Sequence, residues 1–206
     1  MTRILLAFVL AAFSFGVAAE GTEAAGATYE LLSPPQPTQS DGKIEVVEMF
    51  WYGCPHCYHF EPALEAWLKH KPDDVMFRRV PALFNEQWVV HARAYYAAEA
   101  LGVLEKLHQP LFDAIHKDGK HIMDEESIIK FAASQGIDEQ QFREAYDSFG
   151  VDKKVRQAMM ATRDYGITGV PSLIVNGKYR TSPSLAGGTD NVLKVIDTLV
   201  AKERAK

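Results

Sequence analysis

Residues 44–52 read IEVVEMFWY, residues 53–57 read GCPHC, and residues 58–70 read YHFEPALEAWLKH. The first stretch is dense in β-branched and aromatic residues with apolar side chains on both faces, the pattern of a parallel strand covered on two sides. The third carries Phe60, Ala63, Leu64, Trp67 and Leu68 at helical spacing. Lys71-Pro72-Asp73-Asp74 makes a turn, and residues 75–80 alternate enough for a second strand. Strand, helix and strand within about forty residues form a βαβ unit. Both cysteines of the chain, Cys54 and Cys57, lie at its strand-to-helix corner.

On the N-terminal side, residues 33–37 (SPPQP) hold three prolines and read as an extended connector, preceded by a short edge strand near residues 29–32. On the C-terminal side the chain changes character. Residues 87–101 are Ala-rich and helical, and residues 103–117 continue helically with Pro110 marking a kink or restart. Asp124 can cap a helix that Gly136 ends. Asp138 with Gln141 resembles a capping box, and behind it Phe142, Ala145, Tyr146 and Phe149 share one face. Residues 151–165 look like one more helix. β character then returns: residues 172–175 and 178–181 flank Asn176-Gly177, a strong two-residue hairpin turn. Thr189 can cap a final helix carrying Val192, Val195, Ile196 and Leu199. The expected organisation is α/β. Residues 28–85 and 151–206 form one discontinuous domain, and residues 86–150 form an all-helical insert.

The chain has 206 residues, 47% apolar and 24% charged, with a net charge of -5. This composition excludes disordered, collagen-like and coiled-coil chains. The negative charge, without a long Lys/Arg run, argues against a nucleic-acid partner. Residues 1–19 read as a secretory signal peptide: Arg3, an apolar run from residue 4 to 17, then small residues at a cleavage point. The run is short for a membrane anchor. The mature protein is therefore expected outside the cytoplasm, where disulfides persist.

The cysteine pair carries the chemistry. With Cys54 as N-cap, Pro55 takes the first helical position, where its missing N–H costs nothing. The amides of His56 and Cys57 then point at the Cys54 sulfur, together with the positive end of the helix dipole. A protonated or donating His56 adds to them. All favour thiolate over thiol at Cys54. A stabilised thiolate stabilises the reduced form, so the Cys54–Cys57 disulfide becomes a stronger oxidant. The expected order is attack by a substrate thiolate on Cys54, a mixed disulfide there, and resolution by a second substrate thiol. Cys57, deeper in the helix, is the less exposed partner. Competing readings are weaker. With His56 and His59 the motif could hold a soft metal, but zinc sites usually need a second ligand pair. Haem attachment needs His directly after the second Cys, where Tyr58 stands. A structural disulfide closing so short a loop gains little.

The motif CPHC, preceded by Phe50-Trp51-Tyr52 and followed by Tyr58 and Phe60, resembles the DsbA family of periplasmic thiol–disulfide oxidoreductases. So do the helical insert, Gly169-Val170-Pro171 and the Asn176-Gly177-Lys178-Tyr179 hairpin. The resemblance covers nearly the whole chain after the signal segment. It implies a thioredoxin fold with an inserted helical domain and a cis Val170–Pro171 bond packed against the disulfide. Backbone groups of Val170 would then be free to pair with an extended client segment. It implies periplasmic location, reduced or unfolded exported proteins as clients, and reoxidation by a DsbB-like membrane oxidase. No organic cofactor and no metal are expected, only the redox-active disulfide, and a monomer is expected.

Among the strand's apolar residues Glu48 is anomalous. It is a candidate to accept or relay the Cys57 proton. Arg79 could partner it, and the pair would then tune the potential instead. The other histidines, His59, His91, His108, His116 and His121, read as surface or packing residues. The aromatics at 50–52 read as part core, with any exposed part a patch for unfolded clients. Rival functions are disulfide isomerase or reductase and, from another class, a metal-binding chaperone using the C-x-x-C.

Overall fold

The computed structural model describes residues 27–206. The signal peptide expected at residues 1–19 lies outside the described residues. Five strands form one sheet in the order β1-β5-β4-β2-β3: β1 (Glu30–Leu31), β2 (Ile44–Phe50), β3 (Val75–Pro81), β4 (Ser172–Val175) and β5 (Tyr179–Thr181). β2 and β3 are parallel, with Ile44 opposite Val75 and Glu48 opposite Arg79. Against its other neighbour, β4, β2 runs antiparallel, with Glu48 opposite Leu173. Burial on both faces of β2 therefore reflects its central position in a mixed sheet. Helix α1 (Pro55–Leu68) makes the crossover from β2 to β3.

Two apolar clusters flank the sheet. One joins Val46, Leu173 and Val175 to Phe60 and Leu64 of α1 and to Val192, Ile196 and Leu199 of the last helix, α8 (Thr189–Arg204). The other runs from Val47, Met49 and Phe50 into the helices α2 (Glu86–Ala100), α3 (Leu104–His116), α4 (Glu125–Ser134), α5 (Glu139–Tyr146) and α6 (Phe149–Asp164). The short α7 (Pro183–Ala186) precedes α8. The thioredoxin fold with a helical insertion is the architecture observed. Residues 86–150 hold α2 to α5 and the first two residues of α6.

Several local expectations are met by the predicted chemistry. Asp124 caps α4 through a reciprocal box with Ser127. Asp138 accepts from the Gln141 amide at the start of α5. Others are corrected. Pro110 lies inside α3 and does not restart it. Phe149 does not continue the α5 face: Ser148 caps a new helix there, which leaves Phe149 77% exposed. Thr189 is the first residue of α8, and Gly188 occupies the cap without a side-chain bond.

The hairpin turn ties the sheet to the proline-rich connector. Asn176 and Gly177 adopt φ of 51° and 63°, the left-handed pair of a type I′ turn. The Gly177 carbonyl accepts from the Gln36 amide at 2.7 Å, and a Cβ on Gly177 would overlap the Gln36 carbonyl. Gly177→Ala is therefore expected to lower stability by roughly 2 kcal/mol, read as a fall in urea midpoint. An unchanged midpoint would show that the connector does not bear on the turn.

Candidate active site

β2 ends at Phe50, and the chain turns through Trp51, Tyr52 and Gly53 before α1 begins. The Cys54 amide closes that turn on the Trp51 carbonyl at 3.0 Å. A Cβ on Gly53 would collide with the Trp51 ring, so glycine lets the indole fold back over the chain. Trp51 is half-buried and stacks on Trp88 of α2, ring centroids 4.3 Å apart at 8°. Phe50 and Tyr52 are core residues. Of the aromatic triplet, only Trp51 reaches the surface beside the cysteines.

Cys54 is the N-cap of α1, extended at φ −93° and ψ 115°, with Pro55 the first helical residue. The Cys57 amide donates to Cys54 Sγ at 3.4 Å. Both cysteines are free thiols in the structure. Cys54 keeps 7% exposure and Cys57 none. The hydrogen bond with the Cys57 thiol is the main reason the Cys54 thiol drops from its ordinary 9.0 to about 6. Burial opposes that fall, while the Cys57 and His56 amides and the His56 charge assist it. Burial pushes the Cys57 thiol well above its ordinary value, and the neighbouring Cys54 and Glu48 add to that. One sulfur of the pair is thus the anion and the other holds its proton.

From 116 residues away along the chain, the Val170 carbonyl comes within 3.4 Å of Cys54 Sγ. The Val170–Pro171 peptide is cis. The Ser172 hydroxyl donates to the Gly169 carbonyl at 2.7 Å and closes this turn. Alongside runs a cavity of about 560 Å³, lined by His56, His59, Thr168, Val170, Ser182 and Thr189 among others.

Beneath the cysteines lies a buried charge cluster. Arg79 of β3 donates through Nε to Glu48 at 3.1 Å and through Nη2 to Glu61 at 2.9 Å and to Glu65 at 2.7 Å. Glu48 and Glu61 are buried and Glu65 is 47% exposed. One guanidinium therefore serves several carboxylates, and Glu48 Oε1 has no hydrogen-bond partner. Burial, with the nearby Glu61 charge, raises the Glu48 carboxyl from 4.5 to about 8 against the pull of Arg79. Burial also pushes Glu61 up, but hydrogen bonds from His108 and Arg79 outweigh it and hold Glu61 below its ordinary value.

Glu48, Pro55, His56, Val170 and Pro171 all converge on the two cysteines or on the layer beneath them. Glu61, His108 and Trp88 join the site without having been singled out from sequence. Glu61 carried a usable signal, a carboxylate next to Phe60 on the apolar face of α1. His108 carried none, since its partners Tyr52 and Glu61 come from other elements. His91 and His108 are buried packing residues, as the surface-or-packing expectation allowed, and each also makes a hydrogen bond.

The profile of the DSBA-like thioredoxin domain matches residues 73–199. The chain is 45% identical to the thiol:disulfide interchange protein DsbA of Azotobacter vinelandii, over 100% of this chain and 99% of that one. With the protein of the same name from Pseudomonas aeruginosa it shares 44% identity over 98% of this chain and 96% of that one. The crystal structure of Pseudomonas aeruginosa DsbA matches with a TM-score of 0.84, covering 89% of this chain and 95% of that one. The Xylella fastidiosa oxidoreductase DsbA matches at 0.82 with 34% identity, over 89% and 99%. A helix-capping cysteine with a lowered pKa, on a thioredoxin sheet, defines a protein thiol–disulfide oxidoreductase. Its helical insertion and its relatives place it further: the chain belongs to the DsbA family.

Proposed function

We propose that the protein is a dithiol oxidase that donates its Cys54–Cys57 disulfide to reduced, newly exported proteins in the periplasm. The lowered pKa of Cys54 at the helix cap carries this reading. A client thiolate attacks Cys54 Sγ; the Cys54–Cys57 bond breaks, and Cys57 leaves with the electron pair. Cys57 takes up a proton because its thiol is the stable form. Glu48, raised to about 8, is the nearby buried group able to hold that proton near neutral pH. A second client thiolate then attacks the client sulfur of the mixed disulfide, and Cys54 departs as thiolate. Two electrons pass from client to protein, one of the client's protons ends on Cys57, and the other enters solvent. His56 steadies the Cys54 thiolate, Pro55 starts the capped turn, and Val170 beside the cis-Pro171 offers its backbone to an extended client segment.

A DsbB-like membrane oxidase then accepts the two electrons and restores the disulfide. Among the described residues no helix is long and apolar enough to cross a membrane. The protein acts as a monomer and uses no organic cofactor or metal, the disulfide alone carrying the electrons.

The equilibrium of the pair with glutathione tests the assignment. The expected couple is far more oxidising than thioredoxin's, about −270 mV. A couple as reducing as thioredoxin's overturns the oxidase reading. Tight stoichiometric zinc or copper binding to the dithiol, with slow thiol exchange, overturns it in favour of a metal chaperone.

A further inference from the structure

Helix α3 of the insert grips the residue two places before Cys54 at both ends. His116 Nε2 lies 2.7 Å from the Tyr52 carbonyl oxygen, and its ring stacks on Tyr58. His108 reaches deeper, with Nδ1 2.8 Å from the Tyr52 hydroxyl and Nε2 3.4 Å from Glu61 Oε1. It is 8% exposed and enclosed by the rings of Phe50, Tyr95 and Phe112.

Hydrogen-bond roles fix the state of this ring. An ionised Glu61 can only accept, so Nε2 carries the proton, and Nδ1 accepts from the Tyr52 hydroxyl. Burial lowers the pKa of this ring, which favours its neutral form. Glu61 thus takes His108 on one oxygen and Arg79 on the other. Glu48 takes the same guanidinium on one oxygen and nothing on the other. Arg79 is divided between the two carboxylates, and His108 bears on only one of them.

We propose that His108 is a positioning residue for the redox pair. By donating to Glu61 it keeps that carboxylate anionic and paired with Arg79, and so limits the share of the guanidinium that reaches Glu48. The direction of its effect follows. Without the His108 donor, Glu61 takes a proton more readily and Arg79 turns to Glu48. Glu48 is then more firmly anionic beneath the cysteines. A negative charge there opposes the Cys54 thiolate of the reduced form. The disulfide becomes less oxidising.

Two amides of similar burial cost separate this role from simple packing. In His108→Gln the amide reaches the Nε2 position and keeps the donor to Glu61. In His108→Asn it matches Nδ1, keeps Tyr52 and loses Glu61. The glutathione equilibrium of His108→Asn is expected to move toward the disulfide by about threefold to tenfold, the scale of losing one hydrogen bond to a charged group in part. The Cys54 thiolate absorbance midpoint rises in step. His108→Gln stays within about twofold of the parent protein on the same scale. In a Glu48→Gln background the His108→Asn shift disappears. Glu61→Gln neutralises the same carboxylate directly and gives the same shift whether or not His108→Asn folds. Equal shifts for Asn and Gln, an Asn shift that survives Glu48→Gln, or no shift in Glu61→Gln would each overturn the role. The inference rests on the dithiol-oxidase reading only for its readout. That reading fails if the parent couple is as reducing as thioredoxin, whereas this one is read from variants relative to the parent.

Discussion

Between pH 6 and pH 9 the dithiol form is expected to gain stability steadily over its Cys54→Ser variant. The unfolded chain gives Cys54 an ordinary pKa of 9.0, and the fold lowers it to about 6. A depressed acid contributes its full stabilisation above the unfolded pKa and loses it as pH falls through the folded one. The contribution is therefore complete above pH 9, shrinks through the window and is gone below pH 6. Undiscounted, a shift of this size corresponds to about 4 kcal/mol at about 1.4 kcal/mol per unit. Screening at the mouth of the site brings the expected gain nearer 2 kcal/mol. Serine also caps helices, so the variant keeps the cap and loses only the ionising sulfur. Cys57 does not blur the window, because its thiol is raised and titrates above it. Glu48 is common to both proteins. Urea melts under reducing conditions at closely spaced pH read the difference directly. A difference independent of pH would mean that the sulfur is not held as an anion, and the oxidising character would lose its source.

Replacing Arg79 by methionine is expected to cost about 3–5 kcal/mol at neutral pH, the scale of stripping the partner from buried charges. Methionine keeps much of the side-chain volume, so the loss is electrostatic. Glu48 and Glu61 are buried and both use this guanidinium. In the variant Glu61 rises above the unfolded value of 4.5, and Glu48, already near 8 in the parent, rises further. A raised acid stabilises below its unfolded pKa and loses that contribution as pH climbs toward the folded one. The deficit against the parent is thus smallest near pH 4.5 and widens toward neutrality. Adding Glu61→Gln restores part of the loss by removing the stranded charge, whereas Glu48, raised to about 8 even beside Arg79, keeps its proton at neutral pH. A loss below about 1 kcal/mol at neutral pH would place the cluster among solvent-screened surface pairs.

The two expectations differ in how far they were legible from the chain. The low pKa at Cys54 follows from the geometry of the four residues Cys54 to Cys57. A cysteine before proline at a strand-to-helix junction caps the helix, and the Cys57 thiol, with the Cys57 and His56 amides, faces its sulfur. Such effects act within one turn, so neighbouring residues carry the information. Glu48 was visible as a carboxylate in an apolar strand, and Arg79 as its possible partner, because parallel register sets them side by side. The sharing of Arg79 with Glu61 and Glu65 was not visible, since it depends on how α1 lies over β3. Misread boundaries share a local cause. At Phe149 a serine cap outranked the hydrophobic period, and at Thr189 the helix began one residue earlier than its best capping side chain.

From the chain alone come the βαβ unit, the helical block, the Asn176-Gly177 turn and the anionic sulfur, all set by propensities and hydrogen bonds that span a few residues. Tertiary packing decided what surrounds that sulfur: the Val170 carbonyl against it, the indole of Trp88 stacked on its neighbour Trp51, and the carboxylates, arginine and His108 below it. These groups come from six separate elements and loops, and their energies depend on exclusion of water, which no single segment achieves until the sheet and the insert close over them.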